Sequence, residues 1–337
     1  MRTEADIISR LAREIPSRIG SRKSADVPLG IGDDAAVVRA ARGRDWVVST
    51  DAFIEDRHFL GRLDPPRAVG FKALARAVSD LAAMGAKPRY FLLTLALPSQ
   101  QAGKWLDAFA RGMAGAAGMF QMRLIGGDVS RDDHVAAAIT VIGEAPRGRV
   151  LTRSGGRAGD VLFVTGRLGA AQAALETLRR HGWRPWRASA YALHRHLHPI
   201  PRLAIGEWLA EKRLASAAMD ISDGLSIDLA RLCAASRVGA VVHAASIPVA
   251  RDERPGTRRT ASARVGTPEL RRALHGGDDY ELLFTVPRGS VSRVPREFRG
   301  VPITRIGELT AGRSVLLEAE GRTRALRPLG WDHFARG

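Results

Sequence analysis

The sequence is poor in cysteine, lysine and long apolar runs, and each shortage bears on a class of explanation. Cys233 is the only cysteine. It excludes an intramolecular disulfide and a thiolate zinc cluster, and fits a reducing cytoplasm. No stretch approaches the ~20 apolar residues that a membrane-spanning helix needs, so no membrane partner is expected. Met1 to Arg18 mixes charges with apolar residues at helical spacing and does not read as a signal peptide. Lysine occurs five times, so the net charge of +17 is carried almost wholly by arginine. Those arginines are dispersed, and no helix-turn-helix, zinc or RNA-recognition signature accompanies them. Charge alone is a weak footprint for nucleic acid, and no nucleic-acid partner is expected. The densest basic stretch, Arg251 to Arg272, is interrupted by Pro and Gly and reads as a surface segment. The chain also lacks a G-x-x-x-x-G-K-[ST] loop and the protein-kinase set of glycine loop, H-R-D and D-F-G, which excludes those two routes to phosphate chemistry.

The 337 residues, 45% hydrophobic and 26% charged, suit a globular protein of one large or two ordinary domains. Glu4 to Ser17 predicts an amphipathic helix. Trp46 to Ser49 predicts a strand, Pro65 to Met84 a helix stopped by Gly85, and Tyr90 to Leu97 a strand closed by Pro98. Ser99 opens a helix running to about Gly118; strands follow at Met122 to Ile125 and His134 to Gly143. Ala145 to Gly159 is rich in Gly, Pro and Arg without periodicity, and marks a domain junction between 1–148 and 149–337. Beyond it come strand Val161 to Thr165, helices Leu168 to Arg180 and Pro201 to Ala210, strand Ala217 to Ile221 and helix Leu225 to Ala235. Strands near Ala240 to His243, Leu282 to Val286, Ile303 to Glu308 and Val315 to Glu318 complete the pattern. Without strict βαβ alternation, each half reads as α+β rather than a doubly wound sheet.

Seven aspartates stand in short Gly- or Ser-flanked motifs: G-I-G-D-D (Gly30 to Asp34), S-T-D (Ser49 to Asp51), V-S-D-L (Val78 to Leu81), G-G-D (Gly126 to Asp128) and D-I-S-D-G (Asp220 to Gly224). Singly, each has a structural reading: a turn at Asp33-Asp34, Asp128 or Asp223-Gly224, a cap at Ser49-Thr50-Asp51, a solvated helix face at Asp80. Together they point to carboxylates gathered around magnesium, whose oxygen ligands are usually shared with substrate phosphates. His58 after the S-T-D motif, Arg153 beside the junction and the Gly276-Gly277-Asp278-Asp279-Tyr280-Glu281 run are further candidates for substrate contacts.

Taken in order, these motifs resemble the thiamine-monophosphate kinase family from end to end. The resemblance rests on L-G-I-G-D-D-A-A-V-V (Leu29 to Val38), S-T-D, H-F (His58-Phe59), S-D-L-A-A-M-G-A (Ser79 to Ala86), L-I-G-G-D (Leu124 to Asp128) and L-T-R-S-G (Leu151 to Gly155). V-T-G (Val164 to Gly166), D-I-S-D-G-L, G-G-D-D-Y-E-L (Gly276 to Leu282) and the terminal G-W-D-H-F (Gly330 to Phe334) extend it. The resemblance implies the two-domain α+β architecture shared with aminoimidazole ribonucleotide synthetase, selenophosphate synthetase and a hydrogenase-maturation protein. It implies a homodimer formed through the sheet of the N-terminal, ATP- and magnesium-binding domain, with the C-terminal domain completing the substrate site.

By the same resemblance, Asp34, Ser49, Thr50, Asp51, Asp80, Asp128, Asp220 and Asp223 are expected to hold several magnesium ions. Gly127, Asp128, Arg153 and Ser222 are expected at ATP, and His58, Asp278 and Trp331 at thiamine monophosphate. Asp51, Asp128, Asp220 and Arg153 would carry the catalysis. Asp278 stands where the family usually has glutamate, one methylene longer. The implied reaction takes ATP and thiamine monophosphate to ADP and thiamine diphosphate.

Overall fold

The computed structural model describes residues 11, 13–15, 41–184, 187–250 and 265–331. The chain divides into two compact units, one of residues 1–81 and 86–148, the other of residues 82–85 and 149–337. Most of the helix expected at Glu4 to Ser17 lies outside the described residues, as do Gly30 to Asp34 and 251–264.

The first unit is built on a four-stranded sheet. Its strands are β1 (Arg44–Ile54), β2 (Lys87–Leu97), β3 (Arg123–Arg131) and β4 (Ala136–Pro146), in the order β1-β4-β2-β3. Helices α1 (Pro66–Ala83) and α2 (Lys104–Phe120) connect them. Gly85, at φ +67°, ends α1 in the left-handed region that favours glycine. The helix expected from Ser99 is split: Ser99–Gln101 forms a 3₁₀ turn, and α2 restarts after Gly103. The two helices cross on glycines. A Cβ on Gly112 would lie 1.8 Å from the Arg67 carbonyl oxygen, and one on Gly70 would lie 2.0 Å from that of Phe109. Hence α1 and α2 approach backbone to backbone, beside buried Leu74, Val78, Phe109 and Met113.

Alternation along β1 separates the two faces of this sheet. Val47 and Phe53 are buried, whereas Val48 is 60% and Ile54 39% exposed. The β3 strand departs from expectation. It runs straight through Gly126-Gly127-Asp128, parallel to β2, rather than ending there in a turn. A Cβ on Gly127 would lie 1.9 Å from the Leu93 carbonyl oxygen, so the glycine is required by the close approach of β2.

The second unit carries a larger sheet of β5 (Val161–Thr165), β6 (Ala217–Ile221), β7 (Gly239–His243), β8 (Glu281–Val286), β9 (Glu297–Phe298), β10 (Val301–Thr310), β11 (Val315–Ala319) and β12 (Arg322–Ala325). The order is β12-β11-β7-β10-β5-β8-β6, with β9 pairing β10. Strands β5, β6 and β8 are buried along their whole lengths. One face holds a core of Leu162, Val164, Leu225, Leu229, Leu270 and Leu283; the other holds Phe163, Leu209 and Phe284. Helices α3 (Ala170–His181), α5 (Leu203–Glu211) and α6 (Leu225–Ser236) match expectation closely. Two further helices go beyond expectation. The α4 helix (Ala190–Leu197) is capped by Ser189, whose side chain accepts from the Ala192 N–H. The α7 helix (Pro268–His275) starts inside the supposed surface segment, with Thr267 as cap and Pro268 in the first turn. Both units mix helices with largely antiparallel sheets, as α+β requires.

Candidate functional site

In the first unit the S-T-D motif lies on β1. Ser49 and Asp51 are half-buried on the side of Val47 and Phe53; Thr50 is exposed on the other. Asp80, on α1, accepts a short hydrogen bond from the Ser49 hydroxyl, so these two expected ligands meet. Thr50 receives the Thr140 hydroxyl at 3.0 Å. His58 closes the turn after β1: its Nδ1 accepts from the Ile54 N–H at 3.0 Å, and its ring lies 6.1 Å from that of Phe53. Gly127 and Asp128 are exposed on β3, the opposite edge of the sheet. Register puts Asp128 opposite Thr94, Ala138 and Ala52, on the outer face. Asp51 and Asp128 therefore occupy different edges and different faces. Three strand spacings separate their rows, roughly 14 Å. Asp34 lies outside the described residues.

In the second unit, antiparallel pairing does the assembling. Asp220 on β6 pairs with Leu282 on β8, and Ile221 with Glu281. The exit of β6, which carries D-I-S-D-G, thus lies against the entry of β8, which carries G-G-D-D-Y-E. The Asp278 N–H donates to the Ser222 carbonyl and the Tyr280 N–H to the Ile221 carbonyl, each at 2.8 Å; the Trp331 N–H donates to the Asp223 carbonyl at 2.9 Å. Four expected site residues, Ser222, Asp223, Asp278 and Trp331, are so tied together through backbone. Asp220 is 4% exposed and Trp331 40%. Arg153 is exposed, and its carbonyl accepts the Ser236 hydroxyl at 2.8 Å.

These loops are held by residues outside the motifs and by acids within the G-G-D-D-Y-E run itself. Asp228, in the first turn of α6, accepts from the N–H groups of Ser222, Asp223 and Gly224 at 3.1, 3.0 and 3.1 Å on one oxygen. Arg231 donates to its other oxygen at 2.8 Å and to Asp223 at 2.5 Å. Burial, then the nearby Asp223 carboxylate, push Asp228 up to about 6 against the opposing hydrogen bonds. An acid in the first turn of a helix directly after a turn motif is the available sequence signal. The G-G-D-D-Y-E run is gripped more deeply. Buried Glu281 accepts from Arg195 at 2.9 Å, from Arg202 Nε at 2.6 Å and from the Thr165 hydroxyl at 2.6 Å. Asp279 takes the Gly169 N–H on both oxygens, at 3.0 and 2.9 Å. Burial drives Asp279 well above the usual carboxylate range. The run marks Glu281 as an acid of interest, but nothing local shows that it is gripped by Arg195 and Arg202 rather than turned toward a ligand.

Among the described residues, no three His, Cys, Asp or Glu side chains stand close enough to hold one metal ion. The donor chemistry nevertheless fits magnesium. The Ser49 hydroxyl already lies against the Asp80 carboxylate, and the other expected ligands are likewise oxygens, the donors magnesium prefers over the softer ligands of zinc or copper. Asp223, whose charge is met here by Arg231, is an anionic group able to take a cation.

Comparison with known proteins gives the family. The N-terminal domain model of AIR synthase related proteins matches residues 32–145, and the C-terminal domain model matches residues 157–319. The thiamine-monophosphate kinase of Escherichia coli K12 is 39% identical over 317 residues, covering 92% of this chain and 93% of that protein. The crystal structure of thiamine-monophosphate kinase from Stenotrophomonas maltophilia K279a superposes with a TM-score of 0.76 at 34% identity, covering 94% of this chain and 96% of that one. A structure described as AaThiL complexed with AMPPCP and TMP gives 0.73 at 31% identity, covering 93% of each chain. With its sequence, both domain models and its fold in agreement over nearly the whole length, the chain belongs to the thiamine-monophosphate kinase family of AIR synthase related proteins.

Proposed function

We propose that this protein transfers the γ-phosphoryl group of ATP directly to the phosphate of thiamine monophosphate, giving ADP and thiamine diphosphate. The observation that carries the reading is the backbone junction of the second unit, where Asp278 and Trp331 are bonded to the carbonyls of Ser222 and Asp223. That junction supports the reading because Asp278 and Trp331, suited to a cationic thiamine, are bonded to the loop that carries Ser222 and Asp223. The complex of a relative with an ATP analogue and TMP supports the same pair of ligands.

The nucleophile is a phosphate oxygen of the substrate. A phosphomonoester has its second pKa near ~6, so that oxygen is ionised at neutral pH and no general base is needed. Transfer then depends on positioning and on charge neutralisation. Arg153, Gly127, Asp128 and Ser222 are the residues proposed to hold ATP. His58, Asp278 and the Trp331 ring hold thiamine monophosphate, the ring by stacking on the cationic thiazolium. Asp34, Ser49, Thr50, Asp51, Asp80, Asp128, Asp220 and Asp223 are the residues to hold magnesium, which when bound offsets the repulsion between the two polyanions. The protein works as a homodimer in the cytoplasm. The outer face of the first unit's sheet, with Val48 and Ile54 exposed, is the surface proposed to meet its copy.

The test is thiamine diphosphate formation from thiamine monophosphate and ATP, with and without magnesium, with free thiamine as control. Magnesium-dependent product from the monophosphate alone supports the proposal. No product, or a labelled phosphoenzyme trapped on the pathway, refutes direct transfer.

A further inference from the structure

Asp278 and Tyr280 share an unusual geometry. Both backbones lie in the left-handed region, at φ +67° and +51°, a conformation that a non-glycine residue keeps only where its surroundings impose it. Here they do. Asp279, between the two, is buried with both oxygens on the Gly169 N–H. Glu281, next in line, is fully buried and held by Arg195, Arg202 and Thr165. Arg195 also donates to the Asp279 carbonyl at 2.7 Å. The backbone is thereby fixed on both sides of Tyr280, a residue only 2% exposed. The phenol hydroxyl donates back to Asp278 Oδ1 at 2.7 Å.

We infer that Tyr280 is a positioning residue for substrate recognition, its hydroxyl fixing the orientation in which the Asp278 carboxylate meets the cationic thiamine end of the substrate. The inference rests on the proposed reading of this site and deepens it. A carboxylate on a short side chain at a half-exposed loop has two torsions to settle. A buried, immobile donor removes that freedom before the ligand arrives, and a pre-oriented anion binds a cation with less ordering cost. Tyr280 acts through Asp278 and touches neither ATP nor the transferring phosphoryl group. Its loss therefore falls on one substrate only.

The experiment is a double-mutant cycle of Tyr280→Phe, Asp278→Ala and the double variant, with KM for thiamine monophosphate, KM for ATP, kcat and melting temperature measured for each. Tyr280→Phe keeps the buried ring and removes one oxygen. The expected result is a rise of about tenfold in KM for thiamine monophosphate, with KM for ATP and kcat held within about twofold. In the Asp278→Ala background the same change should have no further effect, because the group it orients is gone. An unchanged KM in Tyr280→Phe, or equal effects in both backgrounds, overturns the positioning role. Unmutated protein that makes no thiamine diphosphate overturns the reading of the site itself, and the inference with it.

Discussion

Trp331 is joined to Asp223 by a backbone hydrogen bond, its N–H 2.9 Å from the Asp223 carbonyl oxygen. The approach is possible because residue 330 has no side chain. A Cβ on Gly330 would lie 2.4 Å from that same oxygen and 2.2 Å from Ile227 Cγ2. Gly330→Ala should therefore push the tail off the loop and raise KM for thiamine monophosphate by roughly tenfold, with a small change in melting temperature because the segment is near the surface. Steady-state kinetics beside a thermal melt separate the two effects. A KM within twofold of the parent would show that the tail does not serve the substrate.

The aspartates proposed for magnesium should matter to turnover more than to folding. Asp51→Asn and Asp220→Asn are each expected to lower kcat/KM by at least about a hundredfold, the scale on which lost electrostatic stabilisation usually registers. Circular dichroism should report intact secondary structure. Near-parental activity in either variant would remove that residue from the site.

The crossing of α1 and α2 has no room for a methyl group, with the Gly112 position 1.8 Å from the Arg67 carbonyl oxygen once a Cβ is added. Gly112→Ala should cost about 1–3 kcal/mol by forcing the helices apart. Denaturant unfolding measures it, and an unchanged midpoint would contradict so tight a crossing.

His275 supplies a pH dependence. Burial first, and the Arg271 charge second, hold its imidazole below the ordinary 6.5. Ser226 Oγ lies 2.8 Å from its Nδ1. Below pH 6.5 the unfolded chain takes up the proton more readily than the folded one, so this group's contribution is complete above that value and is lost as pH falls through it. Denaturation midpoints of the parent should decline from pH 7 to pH 5 more steeply than those of His275→Asn. Parallel declines would show that His275 is not responsible.

Cys233 is buried, and burial pushes its thiol up to about 12. Because the thiolate is the reactive form, a chromogenic disulfide reagent should leave the native protein untouched and titrate it only after denaturant is added. Rapid labelling without denaturant would mean that α6 opens easily.

Much of this architecture is legible in the order of residues alone. The periodicity of α1, α3, α5 and α6, and the apolar runs of β5, β6 and β8, are visible because each element is buried on a regular stripe or along its whole length. The α4 and α7 helices are not, since Ala190–Leu197 and Pro268–His275 are short and carry basic residues in their last turns. The sequence understates β3 because paired glycines usually signal a turn; here they admit the neighbouring backbone. The motif aspartates can be read from local spacing. Asp228 is partly readable, as an acid in the first helical turn. The grip of Arg195 and Arg202 on Glu281 joins residues 86 and 79 positions apart in the chain, which no local pattern shows.

The antiparallel pairing of β6 and β8 has a consequence for how this enzyme could diversify. Asp220 and Leu282 face each other across a ladder, so the spacing between the D-I-S-D-G loop and the G-G-D-D-Y-E loop is a matter of strand register and not of side-chain reach. Register changes only in whole residues, and a slip of one turns every side chain to the other face. The dimensions of the site are thus quantised. Point substitutions in the loops alter what the site touches, while its length stays set by a backbone ruler that no single side chain can lengthen or shorten.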